Sequence, residues 1–334
     1  MASSPSPASH SSTSKLRCAV VGVGYLGRFH AQKYKQIEDA ELIGVCDASL
    51  ERAQVVATEL GVEAIADYKT LLGRVDAVTV ASTTRTHYEI SKFFLENGVH
   101  VNVEKPMTVT IAEAEDLVAL SKKHNLKLQV GHVERFNPAL QAAQEKLNTP
   151  LFIECHRLAP FKPRGVDVDV VLDLMIHDID VIMSLVKSPV KSVSAVGAPV
   201  LTKVVDIANA RIEFESGTVA NVTASRVSQT ATRKFRVFQL QQYLSIDFGS
   251  GEVNLTTKTG EWPKTPDAND HVPLEFESWS LEKGDALLAE TKAFLNAVRT
   301  GGAVVVTGDD GLSAMRVATA IQKEIYARLE KFGQ

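Results

Sequence analysis

What the chain has little of narrows it first. Only 3 of its 334 residues are cysteines, Cys18, Cys46 and Cys155. Their odd number and wide spacing exclude a disulfide framework and a paired-cysteine metal site, and each lies in an apolar run, so all three read as buried thiols of a reducing compartment. Positive charge is not in excess: 36 Lys and Arg against 40 Asp and Glu leave a formal net charge of -4. That excludes the broad basic footprint of a dedicated nucleic-acid binder, although a local basic pocket for a small anion remains open. No apolar run approaches the roughly 20 residues of a membrane span. The first fourteen residues, MASSPSPASHSSTS, lack the apolar core of a secretory signal and the arginines of a transit peptide. Residues 1–14 are therefore expected to form a disordered tail on a cytoplasmic protein.

What is present is the composition of a soluble globular protein, 45% hydrophobic and 23% charged, on a chain too long for one ordinary core. From Lys15, valine-rich runs alternate with helical patterns. RCAVVGV (17–23), AELIGVC (40–46), DAVTVAS (76–82), GVHVNV (98–103) and LKLQV (126–130) read as strands covered on both faces, with helices over 26–35, 50–60, 87–97 and 111–124 between them. This order implies a doubly wound parallel sheet whose strand ends share one edge. After about residue 150 the pattern changes. LFIECHRL (151–158) reads as a strand and 168–186 as one long apolar helix. In VVDIANARIEFESG, Ala208, Ala210, Ile212 and Phe214 share a face, and Ser216–Gly217 turns the chain into TVANVTASRV. With further strands at 235–248 and 252–257, the second half reads as α+β with a large, open, mainly antiparallel sheet. Residues 260–284 lack periodicity and read as a surface loop, and two amphipathic helices close the chain, the last with Asp309 as its expected N-cap. The expected domains are 15–140, a Rossmann dinucleotide-binding domain, and 141–334, a substrate-binding and oligomerisation domain whose C-terminal helices pack back on the first.

The first strand runs into Gly22-Val23-Gly24-Tyr25-Leu26-Gly27. A lone G-x-G-x-x-G is a weak signal, but here it follows a strand and opens a helix, where backbone amides meet a pyrophosphate. Asp47 ends the next strand, at the spacing from which a carboxylate reaches the adenosine ribose hydroxyls. Its charge favours NAD over NADP, a preference that the nearby Arg52 blunts. In VNVEKPMTV (101–109), a buried strand runs directly into Glu104, Lys105 and Pro106, two charges that need solvent, a ligand or each other as partner. In DLMIHDID, Asp173 and His177 stand four apart on one helix face, near Asp178 and Asp180. Histidine titrates near neutral pH and suits removal of a hydroxyl proton, and a lysine suits stabilisation of a developing alkoxide. The competing readings are a core histidine, a Glu104–Lys105 ion pair and, less strongly supported, a metal site at His177.

The glycine loop, Asp47, the DAVTVAS strand, His87 and Glu104-Lys105-Pro106, in this order, resemble the Gfo/Idh/MocA dehydrogenases. The resemblance implies a Rossmann domain, a second domain with an open sheet through which a homodimer or homotetramer forms, and oxidation of a sugar-like alcohol by NAD or NADP. It implies cofactor contacts from Ser82, Thr83, His87, Glu104 and Lys105 beside Gly22, Gly24, Tyr25, Leu26, Gly27 and Asp47, a Lys-Pro bond that is often cis, and a catalytic set of Lys105, Asp173 and His177. No resident metal, nucleic acid or membrane enters. Met175 stands where many members have glycine, which is expected to crowd the site, and the family's proline near Arg85 is missing, which is expected to alter the loop over the nicotinamide. GHVERFNP (131–138) with VVLDLMIHDID (170–180) is similar to the nucleotide-sugar branch. That resemblance implies oxidation of the 3-hydroxyl of UDP-N-acetylglucosamine or a related nucleotide sugar, on the way to diamino sugars of lipid A. Glu134, Arg135, Asn137, Arg157 and Arg164 are then expected at the substrate, with the arginines on a diphosphate; Lys162 reads equally well as solvated rim. The alternatives are an inositol or simple-sugar dehydrogenase and an NAD-binding regulator without turnover.

Overall fold

The computed structural model describes residues 14–163, 168–262, 264, 267 and 272–333. The expected disordered tail, apart from Ser14, lies outside these residues. The chain begins with β1 (Leu16–Val21), α1 (Tyr25–Lys35), β2 (Ala40–Cys46), α2 (Leu50–Leu60), β3 (Glu63–Ile65), β4 (Ala77–Val80), α3 (Thr84–Glu96), β5 (His100–Glu104), α4 (Ile111–Lys123) and β6 (Leu128–Gly131). It continues through α5 (Pro138–Ala143), β7 (Phe152–Leu158), α6 (Ile176–Val186), β8 (Val190–Ala198), β9 (Ile207–Phe214), β10 (Val219–Ser225), β11 (Thr232–Gln239), β12 (Gln242–Asp247), β13 (Glu252–Lys258) and β14 (Leu274–Ser280). Helices α7 (Ala286–Thr300) and α8 (Gly308–Leu329) close it. Two compact units result: one runs to Val133 and takes in Asp285–Leu312, the other holds Glu134–Gly284 and the residues from Ser313.

In the first unit six parallel strands lie in the order β3-β2-β1-β4-β5-β6. The order reverses between β1 and β4, which opens a crevice at their carboxyl ends. Helices α2 and α4 start at side-chain caps. Ser49 accepts the Arg52 amide before α2, and Thr110 and Glu113 form a reciprocal capping box before α4. The start of α8 corrects an expectation: Thr307 Oγ1 accepts the Asp310 amide and Asp310 Oδ2 the Thr307 amide, so Thr307, not Asp309, is the cap. One core joins β1 and β2 to Ala31 and Tyr34 of α1, Ala53 and Val56 of α2, and Phe294 and Leu295 of α7. A late segment of the chain thus completes the early core.

The second unit is an eight-stranded sheet in the order β14-β13-β12-β11-β7-β10-β9-β8, antiparallel except where β7 meets β10. Ala208, Ala210, Ile212 and Phe214 of β9 are buried, and the turn to β10 passes through Gly217 at φ 87°. The surface-loop expectation for 260–284 is corrected, because β14 pairs antiparallel with β13 inside that stretch. None of its seven residues is buried, so no apolar alternation marks it. The long helix expected over 168–186 is also revised: a π-type turn, Val171–Met175, precedes α6, and Asp169 holds its start by accepting the Val171 and Leu172 amides. All three cysteines are buried and unbridged. Among the described residues no helix is long and apolar enough to cross a membrane.

Candidate active site

The crevice of the first unit is built around the glycine loop. Gly22 has φ +88°, and a Cβ there would lie 2.3 Å from the Ser82 backbone, so the loops after β1 and β4 touch directly. A Cβ on Gly27 would lie 1.8 Å from the Gly22 carbonyl oxygen, so the first turn of α1 folds onto the loop that opens it. At Gly24, the residue before α1, an added Cβ meets nothing within 4 Å. Open space at the amino end of an eleven-residue helix, flanked by backbone amides, fits the pyrophosphate of a dinucleotide. Gly24→Ala is therefore expected to weaken NAD binding by about tenfold or more while leaving the melting temperature unchanged. Gly27→Ala is expected to cost about 1–3 kcal/mol of stability. Calorimetric titration beside thermal melts checks both.

Asp47 stands at the end of β2, where its Oδ2 accepts the Val23 amide at 3.0 Å, its Oδ1 accepts the Ser49 amide at 2.9 Å, and Arg52 lies 3.2 Å away. It braces the glycine loop from within the crevice. Tyr25 and Leu26, in the first turn of α1, are exposed. Ser82 bonds Thr86, and Thr83 precedes α3, with Arg85 exposed in its first turn. The ring of His87, expected at the cofactor, is instead buried between two carbonyls, Pro106 O at 3.0 Å and Ser82 O at 3.1 Å. Burial lowers its pKa, and a neutral ring donates to only one of the two carbonyls at a time. His87 thus ties the loop after β4 to the loop after β5 and acts through the backbone.

Lys105 follows β5 and is joined to Pro106 by a cis peptide bond. Glu104, expected as a cofactor contact, turns inward: Oε1 lies 2.8 Å from His30 Nε2 and Oε2 accepts the Lys105 amide at 3.1 Å. Burial opposes both charges, yet the pair holds Glu104 below and His30 above their ordinary values. Glu290 of α7 completes the cluster, its Oε1 accepting from Asn102 at 3.2 Å. His30, Asn102, Gln129 and Glu290 carried no sequence expectation; the available signal was polar residues set into apolar strands and helix faces.

Burial, reinforced by Glu104, pushes the Glu290 carboxyl up to about 7 from an ordinary 4.5. Between those values the unfolded chain gives up a proton that the folded chain keeps, so this group favours unfolding as pH rises through that window. Glu290→Gln, neutral throughout, is expected to lose stability less steeply than wild type from about pH 4.5 to 7, read from melts across that range.

In the second unit Asp173 lies in the π-type turn and His177 in the first turn of α6, both half-buried. Met175 between them is fully buried. Its side chain joins the core, which corrects the expectation that it crowds the site. Arg157, expected on a diphosphate, is the hub of a buried ion cluster: Nε and Nη2 each meet Asp178 at 2.8 Å, and Nη1 meets Glu134 at 2.8 Å. Arg135 is held in the same manner by Asp180, at 2.7 and 3.2 Å. Asn137 caps α5 and donates to Glu134. These residues fasten α6 and the turn before α5; their polar groups are already engaged, which removes the physical basis for the expected diphosphate contacts. Lys162 is exposed, and Arg164 lies outside the described residues. Among the described residues no group of three His, Cys, Asp or Glu side chains could hold a metal ion.

Residues 16–132 match the Gfo/Idh/MocA model described as an oxidoreductase family with an NAD-binding Rossmann fold, and residues 149–241 match the model of the C-terminal domain of the same proteins. The chain is 38% identical over 318 residues to a UDP-N-acetylglucosamine 3-dehydrogenase of Acidithiobacillus ferrooxidans, covering 95% of this chain and 99% of that one. It is 26% identical to a myo-inositol 2-dehydrogenase of Thermotoga maritima, covering 93% and 96%. A solved structure of the Acidithiobacillus ferrooxidans enzyme superposes with a TM-score of 0.86 at 37% identity, covering 94% of this chain and 98% of that one.

Proposed function

The chain belongs to the Gfo/Idh/MocA oxidoreductase family, and from that premise we propose that it oxidises a ring hydroxyl of a nucleotide sugar, the 3-hydroxyl of UDP-N-acetylglucosamine. The observation that carries this reading is the 38% identity to a dehydrogenase of that substrate across nearly the whole of both chains. Bound NAD supplies the hydride acceptor. His177 takes the hydroxyl proton on an imidazole nitrogen, for which its half-buried place on α6 suits it. Lys105 donates a hydrogen bond to the same oxygen and stabilises the negative charge that develops there. Asp173, one turn before His177, orients the substrate or balances the charge of the imidazolium. Asp178 and Asp180, beside the histidine, are committed to Arg157 and Arg135. They hold α6 in place and leave the proton to His177.

The test is NADH absorbance with NAD and UDP-N-acetylglucosamine, run beside myo-inositol and glucose. Turnover with the nucleotide sugar alone is expected. Faster turnover with inositol or glucose would move the substrate to the simple polyols. Tight NAD binding without NADH from any of them would make the protein a regulator.

A further inference from the structure

The carboxylate next to Lys105 is built into the molecule rather than offered to solvent. Glu104 spans two elements: Oε1 meets His30 Nε2 at 2.8 Å on α1, the helix that starts at the glycine loop, and Oε2 accepts the Lys105 amide at 3.1 Å. Room for it comes from β6, where a Cβ on Gly131 would press on the carboxylate at 3.2 Å. The far side is closed by Asn102, Gln129 and Glu290, with Asn102 donating to the Glu290 carboxylate and Gln129 Nε2 to the Glu290 carbonyl at 3.3 Å. His30 and Glu290 are fully buried and Glu104 nearly so. Buried ion pairs add little net stability over apolar residues of the same volume. What such a pair does supply is a fixed position and a fixed charge. Here both fall on Lys105, whose positive charge in turn helps keep Glu104 ionised.

We propose that His30 and Glu104 are positioning residues for hydride transfer: their buried pair locks the end of β5, and with it the Lys105 backbone, to the helix of the glycine loop, and keeps an ionised carboxylate on the residue before Lys105. The inference rests on the role given to Lys105 above. It makes the Glu of Glu-Lys-Pro an internal strut, and it couples the placement of the lysine to the element that opens the cofactor crevice.

Glu104→Gln keeps the shape and removes the charge. The expected result is a fall in kcat on the order of 10²-fold, with NAD affinity near wild type by fluorescence titration. The midpoint pH for acetylation of Lys105 by acetic anhydride, read by mass spectrometry, is expected to move down by about one unit. Glu104→Asp, which keeps the charge, should restore the midpoint. His30→Gln added to Glu104→Gln should cost little more than either change alone, as expected of one coupled unit. Should Glu104→Gln unfold, Gly131→Ala crowds the same carboxylate without altering a charge and carries the kcat measurement. An unchanged kcat and midpoint would reduce the pair to packing, and a parallel loss of NAD affinity would assign it to the cofactor loop instead. The acetylation measurement needs no turnover. A wild-type protein inert toward every sugar therefore overturns the dehydrogenase reading, while the midpoint shift still decides the pairing.

Discussion

Lys105→Ala is expected to lower the kcat of the proposed sugar oxidation by on the order of 10²–10³-fold, the loss seen when one donor to a developing oxyanion is removed. The lysine stands directly after β5, at the carboxyl edge of a parallel sheet where ligands of this architecture bind. Its neighbours are fixed from two sides: Glu104 holds its amide, and His87 holds the Pro106 carbonyl that follows it. Removing the side chain leaves that backbone scaffold intact, so NAD affinity and the melting temperature should stay near wild type while turnover falls. Lys105→Arg should not rescue it, because a planar guanidinium does not place one donor where a compact ammonium did. Steady-state kinetics beside NAD titration separate the outcomes. If kcat remains near wild type, Lys105 is not at the reacting oxygen.

The second large effect concerns stability. Arg157→Met is expected to cost about 3–5 kcal/mol, because it strips the guanidinium bonded to two buried carboxylates rather than removing a pair together. Asp178 and Glu134 each lie 2.8 Å from the guanidinium, and all three side chains are almost wholly buried. Arg233, 3.8 Å from Glu134 and half exposed, is too loosely placed to replace it. Burial already raises the Asp178 pKa with the arginine present. Without it the carboxyl protonates more readily, so the penalty should shrink as pH falls toward the carboxylate range. Urea unfolding at neutral and acid pH reads both the size and the slope; an unfolding free energy equal to wild type at neutral pH would show that the cluster is not a tie for α6.

Where the sequence misled, it did so for identifiable reasons. The strands it did not mark, β3, β8 and β14, are all sheet edges. They bury too little to alternate: β3 buries only Ile65, β8 only Ala195, and β14 no residue at all. Arg157 and Arg135 looked like anion ligands because a sequence displays charge but not partners, and the carboxylates that neutralise them come from α6 and from the turn before α5. Glu104 reverses the same error. It looked like a residue presented to a ligand, and its partner His30 lies 74 positions away.

The sequence by itself determined the parallel sheet of the first half, the glycine loop and Asp47, and the family to which the chain belongs. These follow from local periodicity, from glycine at fixed spacing and from a run of charge after a buried strand, all of which act over a few residues. Only the tertiary structure decided which charged residues are struts. Burial and pairing depend on elements distant in sequence: α1 against the end of β5, α7 against β5 and β6, and α6 against β7. The cost of an unpaired buried charge made each of those partners necessary, and no local pattern could name them.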